Sequence, residues 1–167
     1  GGPLVTLAVH AHDILTWVLG PAKSVFARGR TLVNPVQTED TAGAVLEMMD
    51  GSLAVLSATT GSAAQITRHR FCFRHLVAES NTEPYANTAD PWKFTAENPS
   101  DQKLIDDALA GYVSFPSFFE GQFSLYARAV REGGPLPVTL EDARTSIELI
   151  TAQYASICSG EPVRLPL

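Results

Sequence analysis

The segment TAGAVLEMMDGSLAVLSATTG contains two apolar runs joined by Asp50-Gly51. An Asp-Gly pair between such runs is a strong hairpin signal, because the turn that it favours needs positive φ at both central residues. The preceding run KSVFARGRTLV alternates apolar and polar side chains with the period of a strand. The sequence therefore predicts an antiparallel meander.

The run QITRHRFCFRHLVAE follows the hairpin and is predicted to form a fourth strand with a partly polar face. If it is extended, Arg68, Arg70 and Arg74 share one face. These arginines could contact an anionic ligand, but a row of arginines on a sheet more often pairs with acidic residues across a subunit interface, which we favour. The Asn-, Thr- and Pro-rich stretch from Ser80 to about Ser100 is predicted to be a long loop.

Three segments have the pattern of helices. The segment HDILTWVLGPAK predicts a short helix that ends at Gly20-Pro21. A second helix is predicted from apolar residues with a four-three-four spacing: Phe119, Phe123, Tyr126 and Val130. A third begins with Thr139 and Asp142 in capping-box positions. Its expected apolar stripe is Ala143, Ile147, Ile150, Tyr154 and Ile157.

The two long helices need a surface to pack on, and the sheet provides one. The predicted fold class is α+β, an open, mostly antiparallel sheet with helices packed on one face, in a single domain over residues 1–167.

Composition excludes several classes of protein. The 167 residues are 45% hydrophobic and 18% charged, with a formal charge of −6, which is typical of one soluble globular domain. The few basic residues argue against a nucleic-acid partner. No apolar segment approaches the roughly 18 residues of a membrane span, and nothing resembles a signal peptide, so we expect a cytoplasmic protein without membrane contact. Cys72 and Cys158 are far apart in sequence and are expected to be reduced and buried.

The opening stretch contains His10, His12 and Asp13 in an H-x-H-D pattern. Zinc accepts such ligands, but a metal site needs three or four convergent groups. On a helix His10 and His12 point about 200° apart, which weakens convergence. We therefore predict no metal site, and we expect His12 to face solvent.

The opening GGPLVTLAVHAHD resembles the motif that begins the second domain of the Gfo/Idh/MocA oxidoreductases, whose namesakes are glucose-fructose oxidoreductase and inositol dehydrogenase. The motif is roughly G-G-G-x-x-x-D-x-G-x-H-x-x-D. The helix to Gly20, the hairpin and the closing GGPLPVTLEDARTSIELITAQYASICSGEPVRLP are similar in sequence and order. The resemblance covers nearly the whole chain and is weakest between about Gln65 and Pro116. It implies a domain that binds a small-molecule sugar or polyol and builds a homo-oligomer, preceded in the full protein by a Rossmann domain.

This chain contains no G-x-G-x-x-G fingerprint and no E-K-P segment with the family's catalytic lysine. Since the chain also begins with glycine, we expect a fragment of a longer protein. No cofactor is expected to bind the chain alone, whereas NAD or NADP is implied for the full-length parent.

The resemblance also implies roles for three residues. His10 falls on the motif histidine, which assists removal of the substrate hydroxyl proton while hydride leaves for the nicotinamide; imidazole suits this role at neutral pH. Thr6 stands where the family has an aspartate; its hydroxyl can contact a sugar oxygen but carries no charge to raise the basicity of the histidine. Asp13 completes H-x-x-D and either caps the first helical turn or contacts substrate.

The departure at Thr6 leaves two functions open. The chain is either the substrate-binding and oligomerisation domain of an NAD(P)-dependent dehydrogenase, or a freestanding non-redox module that binds a ligand, assembles subunits or performs cofactor-free proton transfer through His10. A reading frame that extends about 120 residues upstream with G-x-G-x-x-G would decide for the dehydrogenase. In both cases we expect association through the open sheet face, since large apolar patches are rare on monomers.

Overall fold

A computed structural model of the protein describes all residues from 1 to 167. The chain divides into two compact units, one formed by Gly1–Ala63 and Val138–Leu167 and the other by Ala64–Pro137. Both contain antiparallel sheets and helices, so the predicted α+β class is confirmed. None of its helices is long and apolar enough to cross a membrane.

The first unit is built on a four-stranded antiparallel sheet. Its strands are β1 (Ala22–Arg30), β2 (Thr41–Met48), β3 (Leu53–Thr59) and β7 (Val163–Arg164), and their order in the sheet is β3-β2-β1-β7. Burial alternates along β1 and β2 because successive side chains point to opposite faces. The covered face holds the core, whereas the opposite face leaves apolar side chains exposed. The exposed ones are Phe26, Val45, Leu53 and Val55.

The β2–β3 hairpin is confirmed, but its turn differs from the prediction. Met48 N–H donates to the carbonyl of Ser52, which leaves a three-residue loop. Only Gly51 has positive φ, at 85°. A three-residue loop with its last residue in the left-handed region is the next most common hairpin connection, and it requires glycine at that single position.

Helix α4 (Leu140–Ser159) covers the sheet. Its predicted capping box is present, with reciprocal hydrogen bonds between Thr139 and Asp142. The predicted stripe is partly wrong: Ala143 and Ile147 are exposed, and the buried residues are Ser146, Leu149, Ile150, Ala152, Gln153 and Ser156. Three of these residues are polar and make hydrogen bonds: Ser156 to Ala27 of β1, and Ser146 and Gln153 to Asp13 and His12. A pattern of large apolar residues does not predict such positions.

The second unit contains a smaller antiparallel sheet and two helices. The elements are β4 (Arg70–Cys72), β5 (Leu76–Glu79), β6 (Lys93–Ala96), α2 (Pro99–Leu109) and α3 (Phe118–Glu132), and the strand order is β4-β5-β6. The prediction of one strand through QITRHRFCFRHLVAE is wrong. Phe73 N–H donates to the carbonyl of Leu76, so the chain reverses at Arg74-His75 and forms a hairpin. The predicted long loop is also interrupted, by β6.

Helix α3 forms as predicted and ends at Gly133 in the left-handed region. Its apolar stripe, however, is not packed on a sheet: Phe119, Phe123, Tyr126 and Val130 are 53–72% exposed. Cys72 and Cys158 are free, as expected, but both are exposed rather than buried.

Candidate functional site

The candidate site lies at the start of helix α1 (Val9–Leu19), in the first unit. The predicted helix is confirmed, and it ends before Gly20 as expected. The chain is already helical before α1, because Leu4–Ala8 forms a π-helical turn that the sequence did not predict. Such turns are rare in proteins, and those that do occur are often found at functional sites.

His10 and Thr6 both face solvent. No group of the chain hydrogen-bonds the His10 ring, so both ring nitrogens are available to a ligand. The Thr6 hydroxyl donates to the carbonyl of Gly2 at 3.1 Å and keeps its lone pairs free to accept a hydrogen bond. The two side chains are four residues apart, on adjoining helical turns.

His12 does not face solvent as predicted: it is fully buried. Its Nε2 atom lies 2.8 Å from Nε2 of Gln153 on α4, which is also fully buried. Burial lowers the pKa of His12 to about 4, against a smaller opposing effect of the Asp13 charge. The neutral ring therefore accepts the hydrogen bond from the Gln153 amide at physiological pH.

Asp13 is exposed and accepts a hydrogen bond from the Ser146 hydroxyl on α4. It does not cap the first turn of α1, which contains no acidic residue, because the helix begins earlier than the sequence indicated. One carboxylate oxygen is occupied by Ser146, and the other has no partner in the chain.

Glu39 holds the beginning of the helical segment. Its Oε1 accepts hydrogen bonds from Leu4 N–H at 3.2 Å and from the Tyr154 hydroxyl at 2.8 Å. Burial, followed by the hydrogen bond to Glu39, raises the pKa of Tyr154 to about 12. A Cβ at Gly2 would lie 2.0 Å from the Glu39 carbonyl oxygen, so this motif position has no room for a side chain.

Four residues that support the site were not predicted to be part of it: Glu39, Ser146, Gln153 and Tyr154. One signal was present for two of them. Ser146 and Gln153 are polar, seven residues apart and therefore on one face of α4, among apolar neighbours. Polar positions inside an apolar helix face indicate partners on another element. Glu39 lies in a loop, and no local pattern connects it to Tyr154.

The site offers neither a metal centre nor a dinucleotide cradle. No group of three or more His, Cys, Asp or Glu side chains could hold a metal ion. Every strand pairing is antiparallel, so the parallel strand, glycine turn and helix that hold a pyrophosphate are not present in this chain.

Comparisons with known proteins agree with the fold. Residues 1–74 match the family model described as the GFO/IDH/MocA C-terminal domain. Among solved structures, the chain is similar to the WlbA dehydrogenase from Bordetella pertussis in complex with NADH and UDP-GlcNAcA, at 25% identity and a TM-score of 0.77, covering 100% of this chain and 47% of that one.

Two further structures are similar in fold. Levoglucosan dehydrogenase in complex with NADH has 16% identity and a TM-score of 0.74, covering 99% of this chain and 50% of that one. Aldose-aldose oxidoreductase from Caulobacter crescentus, complexed with glycerol, has 16% identity and a TM-score of 0.77, covering 99% and 48%. The chain thus spans about half the length of these relatives. None of the curated proteins matches it.

Proposed function

Because residues 1–74 match the family model of the GFO/IDH/MocA C-terminal domain and the whole chain is similar in fold to the WlbA dehydrogenase, we propose that it is the substrate-binding and oligomerisation domain of an NAD(P)-dependent sugar or polyol oxidoreductase. The observation that carries the proposal is His10, whose ring is exposed and without a partner at the start of a helix that is itself held in place. The names of the relatives, which include complexes with UDP-GlcNAcA and glycerol, support a substrate rich in hydroxyl groups.

In this proposal His10 accepts the proton of the substrate hydroxyl. An imidazole is suited to this task because its ordinary pKa lies close to neutral pH. The Thr6 hydroxyl, which already donates to Gly2, accepts a hydrogen bond from a neighbouring substrate hydroxyl. Asp13 offers its second carboxylate oxygen to the same substrate.

The nicotinamide cofactor belongs to a part of the parent protein outside this chain. The residues of this chain do not fit a dinucleotide, since its sheets contain no parallel strands and its sequence contains no glycine fingerprint. The relatives are about twice as long as this chain and include complexes with NADH. We therefore place NAD or NADP in a Rossmann domain that precedes residue 1.

Association of subunits through the open sheet face is part of the same proposal. Phe26, Val45, Leu53 and Val55 expose apolar surface on one side of the four-stranded sheet. Contiguous apolar surface of this kind marks an interaction site. The two cysteines are free, which suits a reducing compartment, and we place the parent in the cytoplasm.

The test uses the full-length parent. NAD or NADP reduction is measured with a panel of aldoses, polyols and nucleotide sugar acids, and the best substrate is used to compare wild type with His10→Ala. We expect a loss of about 100-fold or more in kcat/KM, the usual size of a lost general acid/base, with little change in Tm because His10 is exposed. Trp17→Ala, an exposed substitution on the same helix, is the control.

Two results would contradict the proposal. Full turnover in His10→Ala would remove the catalytic role. The second result is that no substrate of the panel supports NAD(P)-dependent turnover, while this chain still binds a ligand in a way that depends on His10. That result would favour the non-redox module, which the uncharged Thr6 also supports.

A further inference from the structure

Helix α1 carries His10, yet apolar burial holds this helix only weakly. His12 is the one fully buried side chain of α1. Leu15 and Leu19, three and seven residues further on, are only partly buried against the core. The centre of the interface between α1 and α4 is therefore a hydrogen bond between polar side chains.

We expect that an apolar pair in place of His12 and Gln153 would leave the fold at least as stable. His12 Nδ1 and Gln153 Oε1 are buried without a hydrogen-bond partner. Unpaired buried polar atoms are costly, and apolar replacements of similar volume are often neutral or stabilising in such places. A hydrogen bond, unlike an apolar contact, constrains the direction in which the two side chains point toward each other.

That direction determines where His10 points. Two residues along an α-helix correspond to a rotation of about 200°, so anchoring His12 inward turns His10 toward solvent. The adjacent Asp13 is held by Ser146, which lies seven residues from Gln153 on α4. Two hydrogen bonds about 10 Å apart along α4 fix both the rotation and the position of α1.

We propose that His12 and Gln153 are positioning residues, whose buried hydrogen bond sets the rotation of α1 and thereby the direction of the His10 imidazole. The inference rests on the proposed function insofar as His10 is the general base. The orientation of α1 can be measured independently of any activity.

The experiment compares four variants of this chain by thermal unfolding and by amide residual dipolar couplings. In Gln153→Leu and in the double variant His12→Leu/Gln153→Leu the hydrogen bond is absent. In His12→Gln an amide replaces the ring, so a hydrogen bond to Gln153 can still form. Ser156→Ala is the matched control: its hydroxyl accepts from Ala27 N–H at 2.9 Å, so the variant weakens α4 against β1 without touching α1.

We expect the double variant to keep or raise Tm, while the couplings of α1 no longer fit the alignment tensor of the four-stranded sheet. His12→Gln and Ser156→Ala should retain the wild-type α1 orientation, the latter at a lower Tm. Wild-type couplings for α1 in Gln153→Leu and the double variant would overturn the proposal. If the double variant does not fold, the hydrogen bond is structural rather than positional, and the proposal also fails.

In the full-length parent, the double variant should lower kcat by about 10- to 100-fold with little change in KM, since a misplacement of about 1 Å can cost that much. His12→Gln, in which a hydrogen bond to Gln153 can still form, should keep most of the wild-type kcat. If the parent shows no His10-dependent turnover, the proposed function fails, whereas the dipolar couplings still decide the positioning role.

Discussion

The Tyr154 hydroxyl donates to Glu39 at 2.8 Å, and the same carboxylate oxygen accepts the backbone N–H of Leu4 at 3.2 Å. One loop carboxylate thus connects α4 to the beginning of the helical segment that carries Thr6 and His10. Because this connection joins three separate parts of the chain, its loss has consequences for both stability and pH dependence.

We expect Tyr154→Phe to lower the free energy of unfolding by about 1 kcal/mol, the usual net value of one hydrogen bond. The pKa of Tyr154 in the folded protein, about 12, lies above its unfolded value of about 10. Its contribution is therefore present below pH 10 and lost as the pH rises toward 12. Chemical denaturation of both proteins between pH 8 and 12 measures this. Equal alkaline loss in wild type and Tyr154→Phe would contradict the assignment.

His12 makes the free energy of unfolding fall in acid, whereas Tyr154 makes it fall in alkali. Its pKa is about 4 in the folded protein and about 6.5 unfolded, so the unfolded state binds a proton first. Stability should fall as the pH drops from 6.5 to 4, by up to about 3 kcal/mol from this group. His12→Gln has no ring to titrate. The difference between the denaturant midpoints of wild type and His12→Gln should therefore change over this range, and a constant difference would show that His12 is not the group responsible.

The open sheet face allows a direct test of association. Val45 and Val55 are directly paired across β2 and β3, and both are exposed. We expect wild type to be a dimer or tetramer at micromolar concentration, and the double variant Val45→Lys/Val55→Lys to be a monomer, because it places adjacent charges on the apolar face. Light scattering gives the mass of each. Leu104→Lys, a comparable exposed substitution on α2, is the control and should leave the mass unchanged. A monomeric wild type would contradict the prediction.

A carboxylate at position 6 should strengthen His10 as a base. In Thr6→Asp of the full-length parent, we expect higher turnover of polyols and a shift of the pH profile of kcat/KM to higher pH, because a negative charge favours the protonated ring. Thr6→Asn, of similar shape without the charge, should produce neither effect. Equal behaviour of the two variants would exclude an electrostatic role for this position.

Local signals in the sequence predicted the elements more reliably than their packing. The capping box at Thr139, the helix end at Gly20 and the β2–β3 hairpin follow from short-range rules and are confirmed. The hairpin at Arg74-His75 was missed because neither residue is a usual turn former, and alternation continues through it in sequence.

The candidate site divides in the same way. The motif histidine, His10, and its neighbours Thr6 and Asp13 could be selected from the sequence by resemblance. The burial of His12 could not be predicted from the sequence. A histidine two positions from an exposed residue can lie either at the surface or in the core, and only the position of the partner helix decides between them. Gln153 lies 141 residues away in sequence, and only folding brings it within 2.8 Å.

By itself, the sequence determined the helices α1, α3 and α4, the meander of β1 to β3, the class of the fold, and the residue types offered at the start of α1, because capping, glycine placement and periodicity act over a few residues. The tertiary structure decided which faces are covered and which polar side chains meet. Hydrogen bonds such as those of Asp13 with Ser146 and of Glu39 with Tyr154 join residues more than 100 positions apart. They exist only after the sheet has fixed the distance between α1 and α4, and so the direction of His10 is a property of the folded chain rather than of its motif.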